Sequence, residues 1–110
     1  MRRSGKVLYK NIEAGIVWED EDENEYGFEY AASYLQLKNA MPVSLTLPLR
    51  KEPYISQRTL IPFFDGLIPE GWLLDITVKN WKINRNDRMG LLLIACRDCI
   101  GAVSIQQIIT

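Results

Sequence analysis

Cysteine occurs twice in this 110-residue chain, and both copies fall in Cys96-Arg97-Asp98-Cys99. A C-x-x-C is the spacing of dithiol redox centres and of half a zinc site. Neither chemistry is completed. Zinc takes four ligands, and the chain has no second cysteine pair and no histidine, so a metal would need carboxylates or a dimer. A thioredoxin-like pair opens a helix after a buried strand, whereas this one ends a Leu-rich stretch and precedes Gly101. Two small, partly buried residues at a turn are expected, with no metal and no cofactor.

Other motifs fail in the same informative way. In the acidic run Glu19-Asp20-Glu21-Asp22-Glu23-Asn24-Glu25, Asp20, Asp22 and Asn24 match the first three ligand positions of a calcium loop. Glu25 then stands where the loop needs glycine and Ala31 where it needs a bidentate glutamate, so a solvated hairpin tip is the better reading. Gly5-Lys6 lacks the upstream glycine and the following hydroxyl of a phosphate loop. Arg97-Asp98 matches a kinase catalytic-loop pair, yet no Asn stands five residues on and no Asp-Phe-Gly follows. The absence of histidine removes every Ser-His-Asp or Cys-His nucleophile pair as well. The chain is not expected to be an enzyme.

Thirteen basic and fourteen acidic side chains give a formal charge of −1, a poor endowment for neutralising phosphates, so direct nucleic-acid binding is not expected. Residues 1–30 are net −4 and residues 31–110 net +3, mostly because of the acidic run. The longest apolar stretch, Met89 to Cys96, is far short of the roughly 20 residues that span a bilayer. Arg2, Arg3 and Lys6 are followed by no apolar signal core. A cytoplasmic protein of one domain, residues 1–110, with reduced cysteines and no membrane partner is expected.

The elements that must position these residues follow from periodicity. Lys6 to Lys10, Gly15 to Glu19 and Tyr26 to Tyr30 read as strands in two hairpins, with Tyr26, Phe28 and Tyr30 on one face. Ala31 to Leu37 suits a short helix. Pro42 to Leu49 alternates apolar and hydroxyl residues between prolines, which predicts a strand with Val43, Leu45 and Leu47 inward. Leu60, Phe63, Phe64, Leu67 and Ile68 have helical spacing with Pro62 in the first turn, and Glu70 to Trp81 resumes that spacing after Pro69. Asn84 to Asp87 can cap a helix through Leu91 to Ala95, and Gly101 to Ile109 reads as a closing strand. The fold class is α+β: a small antiparallel β-sheet, made of the N-terminal hairpins and a returning C-terminal strand, with two to three helices in the second half.

Phe63-Phe64-Asp65-Gly66-Leu67-Ile68-Pro69-Glu70-Gly71-Trp72 combines prolines, glycines, aromatics and carboxylates at a helix break. Phe63 and Phe64 are read as core. Trp72, following Gly71 at the start of a helix, is either core or an exposed anchor of the kind that dominates interface energies.

Three stretches, Pro42 to Leu49, Phe63 to Gly71 and Arg97 to Ser104, occur in the order and at the spacing of the N-terminal subdomain of HipA-type serine/threonine kinases. The chain resembles that subdomain, and these kinases are the toxins of bacterial toxin–antitoxin modules. The departure is Cys96, where the family usually has glycine; it makes the C-x-x-C a coincidence. In the long kinases a catalytic body follows, and this chain ends at Thr110, about where that body would begin.

A freestanding copy is similar to the HipS-type small components of tripartite HipBST modules, whose kinase toxin, HipT, lacks this piece. The resemblance implies an antitoxin that binds and neutralises a HipT-like kinase directly, with a HipB-like helix-turn-helix protein supplying DNA binding through the kinase. Candidate partner-binding residues are Asp65, Glu70, Gly71, Trp72 and Leu73. Trp72 is expected to project into the kinase's active cleft or nucleotide loop. The competing reading is a structural or assembly subunit that completes the kinase fold, or its DNA-bound complex, without inhibiting it.

Overall fold

A computed structural model describes residues 2–68, 75, 79, 80, 82, 84, 86–96 and 102–108. Among these, strands β1 (Arg2–Tyr9), β2 (Ile12–Asp20), β3 (Glu25–Tyr30), β4 (Tyr54–Gln57) and β5 (Val103–Gln107) form one antiparallel sheet in the order β4-β3-β2-β1-β5. Helices α1 (Ala32–Leu35), α2 (Pro62–Asp65) and α3 (Arg88–Ala95) accompany it. The expected α+β class and the returning last strand are both present. Lys10 and Asn11 turn β1 into β2 with φ of 51° and 69°, the two left-handed residues that a two-residue hairpin requires. At the next tip the Asp20 carboxylate accepts the Asp22 and Glu23 N–H groups at 3.1 and 3.4 Å, so the acidic run is the solvated hairpin end expected of it.

Pairing register sorts the side chains onto two faces. Gly5, Val17 and Phe28 lie in one row of the inner face, and Val7, Gly15 and Tyr30 in the next. Phe64 of α2 meets Phe28 with ring centroids 5.3 Å apart, and α3 brings Met89, Leu92 and Leu93 into the same core. Gly5 permits that approach: a Cβ there would lie 2.7 Å from Leu93 Cδ2. On the outer face Ser4, Trp18, Gly27 and Ile55 form a row, and Trp18 lies over Gly27, where any Cβ would strike the indole.

Residues 42–49 differ from their expected strand. They form a looping arch in which Val43 and Leu47 are buried but Leu45 is 94% exposed. Hydroxyl chemistry outweighs the apolar alternation. The Ser44 Oγ accepts from Thr46 N–H at 3.2 Å and Leu47 N–H bonds the Ser44 carbonyl at 3.0 Å, which curls the backbone into a turn. Beneath it the Tyr30 hydroxyl donates to the Leu47 carbonyl and accepts from Val43 N–H at 3.0 Å. Burial pushes the Tyr30 phenol up to about 12, which keeps the donating proton in place at neutral pH. Tyr30→Phe deletes both bonds while keeping the ring, and is expected to cost roughly 2 kcal/mol in urea unfolding.

The strand that does pair with β3 is β4, four residues whose signal was too short to read. The helix expected from Thr59 is also shorter: α2 is a single turn with Pro62 at its start, and Leu67 and Ile68 continue as turns. Phe64 is fully buried and Phe63 packs against the core from its edge.

Candidate partner-binding site

The chain leaves the core at the end of α2 and returns to it at the start of α3. An ion pair closes that excursion at its base: Arg88 Nε donates to Asp65 Oδ1 at 2.6 Å. The neighbouring Asp87 is the N-cap of α3, accepting Gly90 N–H at 3.1 Å. Its two oxygens also accept from Arg3 Nη1 and Nη2 at 2.9 and 2.7 Å, a bidentate pair, while Arg3 Nε donates to Glu19 at 2.7 Å. Bonding to Arg3 holds the Asp87 carboxyl below the usual carboxylate range against the opposing effect of burial, and the Gly90 N–H adds to the lowering. Those contacts, above all with Asp87, push the Arg3 guanidinium pKa further up. Two consecutive residues thus tie one helix start to two different elements, Asp87 to the sheet and Arg88 to α2.

Of the candidate partner-binding residues, Asp65 is described, and its carboxylate pairs with Arg88 in the manner of a positioning residue. Glu70, Gly71, Trp72 and Leu73 lie outside the described residues, as do Arg97, Asp98 and Cys99. Cys96 is fully buried, with its thiol donating to the Leu67 carbonyl at 3.3 Å. That is a poor setting for redox chemistry, which needs an accessible thiolate. Among the described residues no three Cys, Asp or Glu side chains gather as metal ligands, and no helix is long and apolar enough to cross a membrane.

Sequence reasoning missed the outward face of the arch. Leu37, Met41, Leu45 and Leu49 are four of the seven large apolar residues most exposed among those described. Reading Ser44 and Thr46 between two prolines as turn chemistry would have turned Leu45 outward.

The sheet with its short covering helices, and the tied excursion between α2 and α3, define a small non-catalytic scaffold module. Residues 5–106 match the HipA N-terminal domain, and the chain belongs to that family. It is similar to an uncharacterized protein of Haemophilus influenzae, 34% identical over 105 residues, which cover 96% of this chain and 92% of that protein. It is also similar to the putative kinase Y4mE of Sinorhizobium fredii, 33% identical over 81 residues; these are 74% of this chain but 19% of the kinase. Among solved structures it superposes on the N-terminal domain of HipA toxin with a TM-score of 0.69 at 27% identity, covering 98% of this chain and 94% of that one.

Proposed function

We propose that the chain is an antitoxin-type inhibitor that binds a HipT-like serine/threonine kinase toxin and neutralises it. One observation carries this reading. The same domain forms about a fifth of a putative kinase and nearly the whole of a small Haemophilus influenzae protein. A module that shares a chain with a kinase in one setting keeps a complementary surface when it stands alone, and that surface is then an intermolecular interface. Catalysis belongs to the kinase in this account, and a HipB-like helix-turn-helix protein binds DNA through it, in the cytoplasm. The adjoining reading frames are expected to encode both partners.

Trp72, with Glu70, Gly71 and Leu73 around it, is the segment proposed to enter the kinase cleft. Asp65 acts one step back, pairing with Arg88 at the base of that segment. The purified chain is expected to lower phosphoryl transfer by the kinase and to rescue growth on coexpression. Trp72→Ala should weaken association by about 30- to 1000-fold, the cost of truncating an anchoring aromatic. Full rescue by the alanine variant would rule out Trp72 as the anchor. Kinase activity left unchanged or raised by the wild-type chain would favour the assembly-subunit reading instead.

A further inference from the structure

We infer that the arch of residues 41–49 is a second docking element, presenting Leu45 between Met41 and Leu49 to an apolar depression with an acidic rim on the partner kinase. This inference rests on the kinase-binding reading and adds a surface separate from residues 69–73. Along the arch the apolar side chains divide by position. Val43 and Leu47 point into the core at 6% and 4% exposure, while Met41, Leu45 and Leu49 are 52%, 94% and 36% exposed.

A nearly bare leucine is common on mobile loops, but this one stands on a built support. The Ser44 and Thr46 hydroxyls bond each other at 2.8 Å on either side of it, and the buried Tyr30 hydroxyl grips Val43 and Leu47 beneath it. Further along, the Tyr54 hydroxyl donates to the Pro48 carbonyl at 2.6 Å, and the Arg50 guanidinium stacks 3.6 Å over the Tyr54 ring. Display of an apolar side chain on a preorganised loop lowers the ordering entropy lost on binding.

Charge indicates what covers the arch. Residues 38–58 contain Lys38, Arg50, Lys51 and Arg58 against a single acid, Glu52, so the apolar trio sits within a basic surround. An acidic rim on the partner complements it and steers its approach. Size excludes a pair of arches as a stable homodimer: three aliphatic side chains fall well short of the roughly 800 Å² per partner that a lasting interface buries. The arch is one part of a larger contact. It lies on the inner side of the sheet, the side that also carries α2 and Asp65, from which the chain continues toward Trp72.

Binding of the purified chain to its kinase, measured by calorimetry at low and high salt, tests this. Leu45→Glu is expected to weaken association about 30-fold with its thermal midpoint unchanged. Ile55→Glu, an equally drastic change on the opposite face of the sheet, should bind as wild type. Wild-type affinity should fall as salt is raised. Undiminished binding by Leu45→Glu overturns the arch alone. A wild-type chain that fails to bind the kinase overturns the kinase-binding reading and the arch with it. A dimer of the free chain that Leu45→Glu dissociates would assign the arch to a second copy and likewise overturn the proposal.

Discussion

Phe64→Ala is expected to lower the stability of the domain by about 4 kcal/mol, the usual cost of truncating a fully enclosed phenylalanine. A chain of this length has on the order of 5 to 15 kcal/mol in total, so much of the margin is lost. The reason lies in where the ring sits. Phe64 is completely buried, tilted against Phe28 at 5.3 Å and edge-on to Phe63 at 5.1 Å. It is also the inward side chain of a helix only one turn long, and a helix that short has little stability apart from its packing. The void would therefore loosen α2 itself and release the Asp65 end of the excursion. Urea unfolding should show the midpoint falling by about 2 to 3 M. Phe64→Leu, which refills most of the volume, should recover at least half of the loss. Equal midpoints for the alanine variant and the wild type would contradict the packing described for α2.

Arg3→Ala is the second large effect, about 3 kcal/mol, because it strands two carboxylates at once. Glu19 has a side chain only 9% exposed and Asp87 one 32% exposed, and both take their charge partner from the same guanidinium. The estimate is at the low end for a broken buried pair because Arg3 keeps 27% of its own side-chain surface. A double-mutant cycle should show strong coupling, with Asp87→Asn costing much less once Arg3 is gone.

The pair also sets a pH dependence. Asp87 titrates lower in the folded chain than in the unfolded one, so its contribution is full above the unfolded carboxylate pKa of about 3.9 and is lost as pH falls through its folded value. Wild-type and Asp87→Asn stabilities should therefore differ by a constant amount near neutrality and converge in acid. A gap that widened toward acid would contradict the assignment.

How legible these features were depended on whether a single local rule decided them. The hairpins were readable because alternation, aromatic spacing and a polar interruption at Lys10-Asn11 all agree, and β1, β2 and β3 stand where those signals lie. Asp87 was readable as part of a capping segment, and it caps α3. Its second role was not, since Arg3 is 84 residues away and nothing local marks the two as partners. The arch misled because its alternation of Val43, Leu45 and Leu47 is real while its conformation is decided by hydroxyls and by Tyr30 from another element. In the site, the family motif around Phe63 to Gly71 was visible. That Asp65 pairs with Arg88 depends on where α3 returns, which is a tertiary fact.

The position of β1 has a consequence for how the protein is made. β1 pairs with β2 on one side and with β5 on the other, so Gly5 lies opposite Gln107 and the first strand synthesised needs the last as a neighbour. Until residues 103–107 emerge from the ribosome, a nascent chain exposes the free edge of β1 with Val7 uncovered beside it. Contacts of such long sequence separation are slow to form, and an open edge is a template for wrong pairing. The domain therefore matures in one late step, and premature termination by even a few residues should yield an aggregation-prone chain in place of a weaker inhibitor.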